Sequence, residues 1–142
     1  MPMAKKKKLK PWHYVVFGVL GTLFLIVVLA SIQTETLADE ETRMVEPGYY
    51  SYLLFDADEY DKIDFDFKVV QGGPVNLLLL DAHNFVRYND NETYFYYPEG
   101  SSNQVMGKSY SYKVERSGSY YILVENLNEE PVVYWSKISI SS

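Results

Sequence analysis

The densest group of oxygen donors in this 142-residue chain is Asp56-Ala57-Asp58-Glu59-Tyr60-Asp61, with Asp64 and Asp66 beyond it. Alternate carboxylates in a loop can converge on Ca2+, a hard cation that takes about six to eight oxygens. An EF-hand loop needs D-x-[DN]-x-[DN]-G and a later Glu. Here Tyr60 holds the third ligand position and Asp61 stands where glycine belongs, so the loop is not an EF-hand. Asp56, Asp58 and Asp61 are the candidate calcium ligands. The plainer reading is a polar turn feeding a strand whose outer face carries Asp64 and Asp66. Calcium is the single candidate ion, and no other cofactor is expected.

Little else in the chain carries catalysis. It has two histidines, His13 and His83, and no cysteine. Thiol chemistry, iron–sulfur clusters and cysteine-bound zinc are thereby excluded. No G-x-S-x-G, H-E-x-x-H, P-loop or dinucleotide fingerprint occurs. The chain is expected not to be an enzyme. Binding chemistry is better represented. Tyr94-Phe95-Tyr96-Tyr97 reads either as a core strand covered on both sides or as a strand whose alternate rings face outward, in which case Tyr94 and Tyr96 are candidates for protein or glycan contact. Asn91-Glu92-Thr93 is the chain's one N-x-[ST] sequon, in a polar turn, which makes Asn91 a candidate glycosylation site.

The segment ahead of these residues sets where they work. Tyr14 to Ile32 carries no charge, and nineteen residues at the helical rise span roughly 28 Å, close to a bilayer's hydrocarbon core. Lys5, Lys6, Lys7, Lys8 and Lys10 precede it, and positive residues beside a first span stay in the cytoplasm. The expected organisation is a basic cytoplasmic stub (1–13), a transmembrane helix (14–32), an acidic stalk (33–47) and an extracytoplasmic domain (48–142). A cleaved signal peptide is the rival, but its apolar region usually runs only about 7–15 residues. A pilin-type leader is a second rival, and it lacks the expected glycine before the helix and the early glutamate within it. Gly18 and Gly21 would let a neighbouring helix approach, although G-x-x-G is not the G-x-x-x-G dimer motif. The expected location is the cell membrane, with the lipid bilayer and other membrane proteins as partners. All nineteen acidic residues lie beyond the helix with eight basic ones, a net −11 that disfavours nucleic acid.

From Tyr49 onward the hydrophobic period is two. Ile63, Phe65, Phe67 and Val69 share one face of an alternating strand, and Val75 to Leu80 is a continuous apolar run covered on both sides. Tyr110–Val114, Tyr120–Val124 and Val132–Ile140 are further strands, and Tyr49–Phe55, Phe85–Tyr88 and Thr93–Tyr97 are read the same way. Turn clusters separate them, among them Gly72-Gly73-Pro74 and Pro98 to Asn103. The fold class is all-β: an antiparallel jelly-roll-like β-sandwich of seven or eight strands, preceded by one transmembrane α-helix.

The order of these features resembles two families. An early strand precedes an acidic turn and an alternating strand. A Gly-Gly-Pro turn leads to an apolar strand ending Leu79-Leu80-Asp81-Ala82-His83-Asn84, and Ser117-Gly118-Ser119-Tyr120-Tyr121-Ile122-Leu123-Val124-Glu125-Asn126 follows later. This resembles the GOLD (emp24/gp25L/p24-type) domain and the pre-peptidase C-terminal domain over about Pro47 to Ser142. The resemblance implies a β-sandwich used for protein or surface-ligand interaction, without catalysis. The N-terminal position of the apolar segment and the absence of a cysteine pair separate the chain from p24 sorting receptors.

Together these features imply a single-pass, non-catalytic interaction module, an accessory subunit of a larger membrane complex. The alternatives are a cell-surface glycan- or calcium-binding module and a filament or S-layer-like structural subunit.

Overall fold

The computed structural model describes Met3–Lys5, Lys10–Pro11 and residues 37–142, with side chains described from Asp39 onward. Eight main strands form two antiparallel sheets of four. They are β3 (Leu37–Val45), β4 (Tyr49–Ala57), β5 (Lys62–Gln71), β6 (Val75–Asp81), β8 (Tyr97–Val105), β9 (Gly107–Lys113), β10 (Gly118–Glu125) and β11 (Val132–Ser141). The first sheet runs β4-β10-β6-β8 and the second β3-β11-β5-β9. From β3 the chain crosses between the sheets at every step except β6 to β8, which is a jelly-roll order. Three short strands complete the set. β1 (Met3–Lys5) pairs antiparallel with β7 (Thr93–Phe95), and β2 (Lys10–Pro11) pairs parallel with β4.

The alternating segments behave as their period requires. Ile63, Phe65, Phe67 and Val69 point inward and are buried, packing with Leu77, Leu79, Ile122, Val124, Ile138 and Ile140 between the sheets. Val75 to Leu80 is buried at every position. Its odd-numbered residues face the core, while Leu78 and Leu80 face a second apolar cluster on the sheet's outer side.

That second cluster corrects the sequence reading. Phe85–Tyr88 is not a strand: Ala82–Asn89 forms a short helix, α1, between β6 and β7. Asp81 caps it, its Oδ1 accepting from the Asn84 amide at 2.8 Å. Asn84, Phe85 and Tyr88 form the buried stripe of these two turns. Phe85 stacks on Tyr121 with ring centroids 3.8 Å apart, and Tyr88 meets Tyr50 and Tyr94 edge-on at 5.2 and 5.3 Å. Among the described residues no helix is long and apolar enough to cross a membrane. Residues 14–32, with Gly18 and Gly21, lie outside the described residues.

Two further boundaries differ from expectation. The stretch expected as a stalk (33–47) supplies β3, which pairs with β11 along its whole length. Its inward positions are Glu41, Arg43 and Val45, and the first two form an ion pair at 2.7 Å. The sandwich therefore begins at Leu37, not at Gly48. Likewise Pro98 to Asn103, expected as a turn, belongs to β8, whose pairing with β6 shifts register twice.

Gly72 and Gly48 both have positive φ, at 102° and 77°. A Cβ on Gly72 would stand 2.7 Å from the Pro131 carbonyl oxygen, whereas one on Gly48 would meet nothing. Gly48→Ala is expected to cost about 1 kcal/mol for its backbone conformation alone. Gly72→Ala should cost about 2 kcal/mol more, because the β10–β11 loop must also move. Equal denaturation midpoints for the two variants would show that this loop yields freely.

Candidate functional site

A cleft of about 470 Å3 opens at the end of the sandwich where the chain enters β3, and its size is within the usual range for a small-ligand site. Three segments distant in sequence line it. Asp81, Ala82 and His83 come from the β6–α1 corner, Tyr97 from the start of β8, and Glu115 to Tyr120 from the β9–β10 loop and the start of β10.

Hydrogen bonds fix each wall. Asp81 Oδ1 also accepts from Asn84 Nδ2 at 2.9 Å. The Tyr120 hydroxyl donates to the Arg116 carbonyl at 2.6 Å, and Ser117 Oγ accepts from the Glu59 amide at 2.9 Å. The Tyr97 ring lies 5.3 Å from Tyr112 and 6.0 Å from Tyr120, tilted against both. Burial, helped by Tyr120 and Asp81, pushes the Tyr97 hydroxyl up to about 12, and burial also raises Tyr120. Both hydroxyls therefore carry their protons at neutral pH, the Tyr120 proton being given to the Arg116 carbonyl.

Among the described residues neither Asp81 nor Glu115 forms an ion pair with Arg116. The cleft thus offers carboxylate acceptors, a guanidinium, an imidazole and two phenol rings together. That mixture suits a small polar ligand with several hydroxyl or amide groups. It shows no nucleophile–base pair: His83 is not hydrogen-bonded to Ser117 or Ser119 among the described residues.

The candidate residues chosen from sequence fall elsewhere. Asp56, Asp58 and Asp61 do not converge on a cation position. Asp56 accepts from Ser119 Oγ at 2.5 Å, and Asp61 Oδ2 accepts from the Asp58 amide at 2.8 Å. Among the described residues no three acidic or imidazole side chains gather as metal ligands. Cross-strand and turn hydrogen bonds take up the Asp56 and Asp61 carboxylates, and no third ligand gathers with them, so millimolar Ca2+ is expected to leave the melting temperature unchanged; a rise of several degrees on titration would restore the ion site.

Tyr94, a contact candidate on the outward-facing reading, is only 4% exposed. It packs against Tyr88 beneath α1, because β7 lies over the outer side of the first sheet. Tyr96 is half-buried against the same cluster, and Phe95 is the more exposed ring at 37%. Asn91 is exposed, with a φ of 59° that asparagine tolerates, in the turn after α1. The cleft itself was not legible in the sequence. Its residues are spread from position 81 to position 120, and no local motif joins them.

No protein-family model matches the chain, and no curated protein matches its sequence. Solved structures do share the fold. The pre-peptidase C-terminal domain of a collagenase from Bacillus anthracis superposes with a TM-score of 0.55, over 72% of this chain and 89% of that one, at 13% identity. The mitogen derived from Yersinia pseudotuberculosis does so with a TM-score of 0.52, over 75% and 86%, at 12% identity. At such identities the likeness is one of fold alone. The β-sandwich implied by the pre-peptidase C-terminal resemblance is therefore present, and the activities of those proteins are not carried over.

Proposed function

We propose that this chain is a single-pass, membrane-anchored, non-catalytic interaction module: an accessory subunit held at the outer face of a membrane beside larger membrane proteins. The apolar run 14–32 and the lysines before it support the anchor and its orientation. The observation that carries the binding role is the placement of large apolar side chains. The sandwich has a complete core, yet Val70 and Met106, which meet beside the end of β5, are each at least half exposed. Uncovered apolar side chains that lie next to one another, as these two do, suit a surface that meets a partner.

Only residues 33–36 separate the end of the apolar run from β3. The domain would thus sit directly on the headgroups, with its entry end toward the bilayer. Insertion of 14–32 would also carry β1 and β2 to the other side, releasing them from β7 and β4. The two pairings involve three and two residues, too few to oppose insertion.

Extraction from native membranes in mild detergent, followed by size analysis, tests this reading. A complex larger than the chain alone is expected, and a lone monomer at native expression would sink it. The end cleft favours a second reading, a cell-surface module for a small polar ligand such as a glycan. Binding of free oligosaccharide to the purified chain, weakened by Asp81→Asn, would support that one.

A further inference from the structure

The two outer faces of the sandwich are finished differently. On the first sheet, α1 and β7 cover Leu78, Leu80 and Leu123. The second sheet has no such layer among the described residues, and the side chains on its outer face are ordered by polarity along the strands. Near the entry end they are charged. Glu40 of β3, Lys137 of β11 and Asp66 of β5 lie side by side in register, next to Ser139 and Asp64. At the far end most are apolar, with Gln71 opposite Val133 on β5. Met44 lies opposite Val133, and the register shift beside Val133 leaves Val70 bulged and 53% exposed. Met106 follows across the edge, its carbonyl accepting from the Val69 amide at 2.7 Å, and is itself 50% exposed. Trp135, half-buried, sits one step back between Thr42 and Lys68.

A sheet face open to solvent along its whole length would be polar throughout. This one changes from charged side chains to methionine, valine and tryptophan over a few residues. Methionine's flexible thioether and tryptophan's broad ring suit a contact surface.

We propose that this strip, Met44, Val70, Met106, Val133 and Trp135, docks a neighbouring protein whose contact surface is apolar with a basic rim. The inference rests on the accessory-subunit reading and names the surface that would serve it. Charge selects the partner. Beyond the apolar run the chain carries nineteen acidic and eight basic residues, so a second copy brings the same negative field and is repelled. A basic rim is attracted. Position agrees with this. Seven residues of β3 separate Leu37 from Met44, about 23 Å of strand, so the strip stands clear of the headgroups on a membrane-anchored chain. Five side chains bury less than the roughly 800 Å2 per partner of a stable soluble interface. Confinement in one membrane raises the effective concentration, so a small strip suffices there.

Photo-crosslinking in native membranes with the full chain tests the inference. A photoreactive residue at position 70 or 106 should give one shared adduct, absent when the probe is at Glu40 or Leu54. Mass spectrometry should place the partner's cross-linked peptide in an apolar segment flanked by Lys or Arg. The surface variant Val70→Asp/Met106→Asp should keep the wild-type melting temperature and lower recovery of the complex about tenfold. A wild-type complex that survives this variant undiminished overturns the strip and leaves the accessory-subunit reading standing. A wild-type chain extracted only as a monomer overturns both. An adduct of twice the chain's mass replaces the basic-rimmed partner with a second copy and overturns the charge argument.

Discussion

Asn126→Ala is expected to destabilise the sandwich by about 3 kcal/mol or more, the range for a buried polar network left without its centre. Asn126 is fully buried at the end of β10. Its Nδ2 donates to the Val45 carbonyl at 2.9 Å and to the Glu130 carbonyl at 2.8 Å. Its Oδ1 accepts from the Asn128 amide and from Asn128 Nδ2, both at 2.9 Å. One side chain thus joins the last residue of β3 to the loop that delivers the chain into β11. Its backbone adds two bonds where the β3–β4 turn enters β4, with its amide donating to the Tyr49 carbonyl and its carbonyl accepting from the Gly48 amide. Alanine keeps the backbone bonds and strands four side-chain partners. For a domain of this size the melting temperature should fall by about 12 °C or more. Asn126→Asp is the informative companion. It keeps the shape and the Oδ1 acceptor but replaces the donor with a charge aimed at two carbonyls, so it should do no better than alanine. A fall of under 3 °C in either variant would mean that water substitutes for the amide and that the loop is not pinned there.

This residue also marks what a sequence discloses. Asn126 closes the segment Ser117 to Asn126 on which the family resemblance rests, and the strand expected at Tyr120–Val124 is present within β10. Ile63 to Val69 was legible because period two and burial on one face are the same fact. Where that link fails, so does the reading. β3 hides its strand period because two of its inward positions, Glu41 and Arg43, are charged and satisfy each other. β8 contains Pro98-Glu99-Gly100, a turn signal by composition. Gly100 is nevertheless buried, and a Cβ there would stand 2.7 Å from Leu79, so glycine serves close packing between strands. Helix α1 spans two turns, too short for a 3.6-residue period to outweigh Phe85, Val86 and Tyr88, which score as strand residues. Oxygen-rich loops were over-read for a related cause. Asp56, Asp58 and Asp61 have the composition of a cation site, but composition does not say that Ser119 and the Asp58 amide already take up the Asp56 and Asp61 carboxylates. The end cleft and the apolar strip are products of register, and register appears only once the strands are paired.

The charged pair inside β3 carries the second large effect. Arg43→Met should lower stability by about 3 kcal/mol at pH 7, the loss expected when one member of a buried ion pair is removed. Arg43 is 6% exposed, and it ties the edge of one sheet to the edge of the other. Its guanidinium donates to the Tyr52 carbonyl on β4 at 2.8 Å and meets Glu41 at 2.7 Å. Burial already holds the Glu41 carboxyl above its ordinary value, with Arg43 the main influence drawing it down. Without the guanidinium the carboxyl must rise further. A carboxyl whose folded value exceeds its unfolded one adds stability below the ordinary carboxylate range and loses it as pH rises through the folded value. The deficit of Arg43→Met relative to wild type should therefore be largest at neutral pH and shrink as pH falls below the raised Glu41 value, so that it is small at pH 4 with the carboxyl protonated. The share due to the lost Tyr52 bond should not vary with pH. Glu41→Leu/Arg43→Met removes both charges and should lie within about 1 kcal/mol of wild type at either pH. Denaturant titrations of the three proteins at pH 7 and pH 4 separate these shares. A deficit equal at both pH values would assign the whole effect to the Tyr52 bond and to packing, and would leave Glu41 with no part in joining the two sheets.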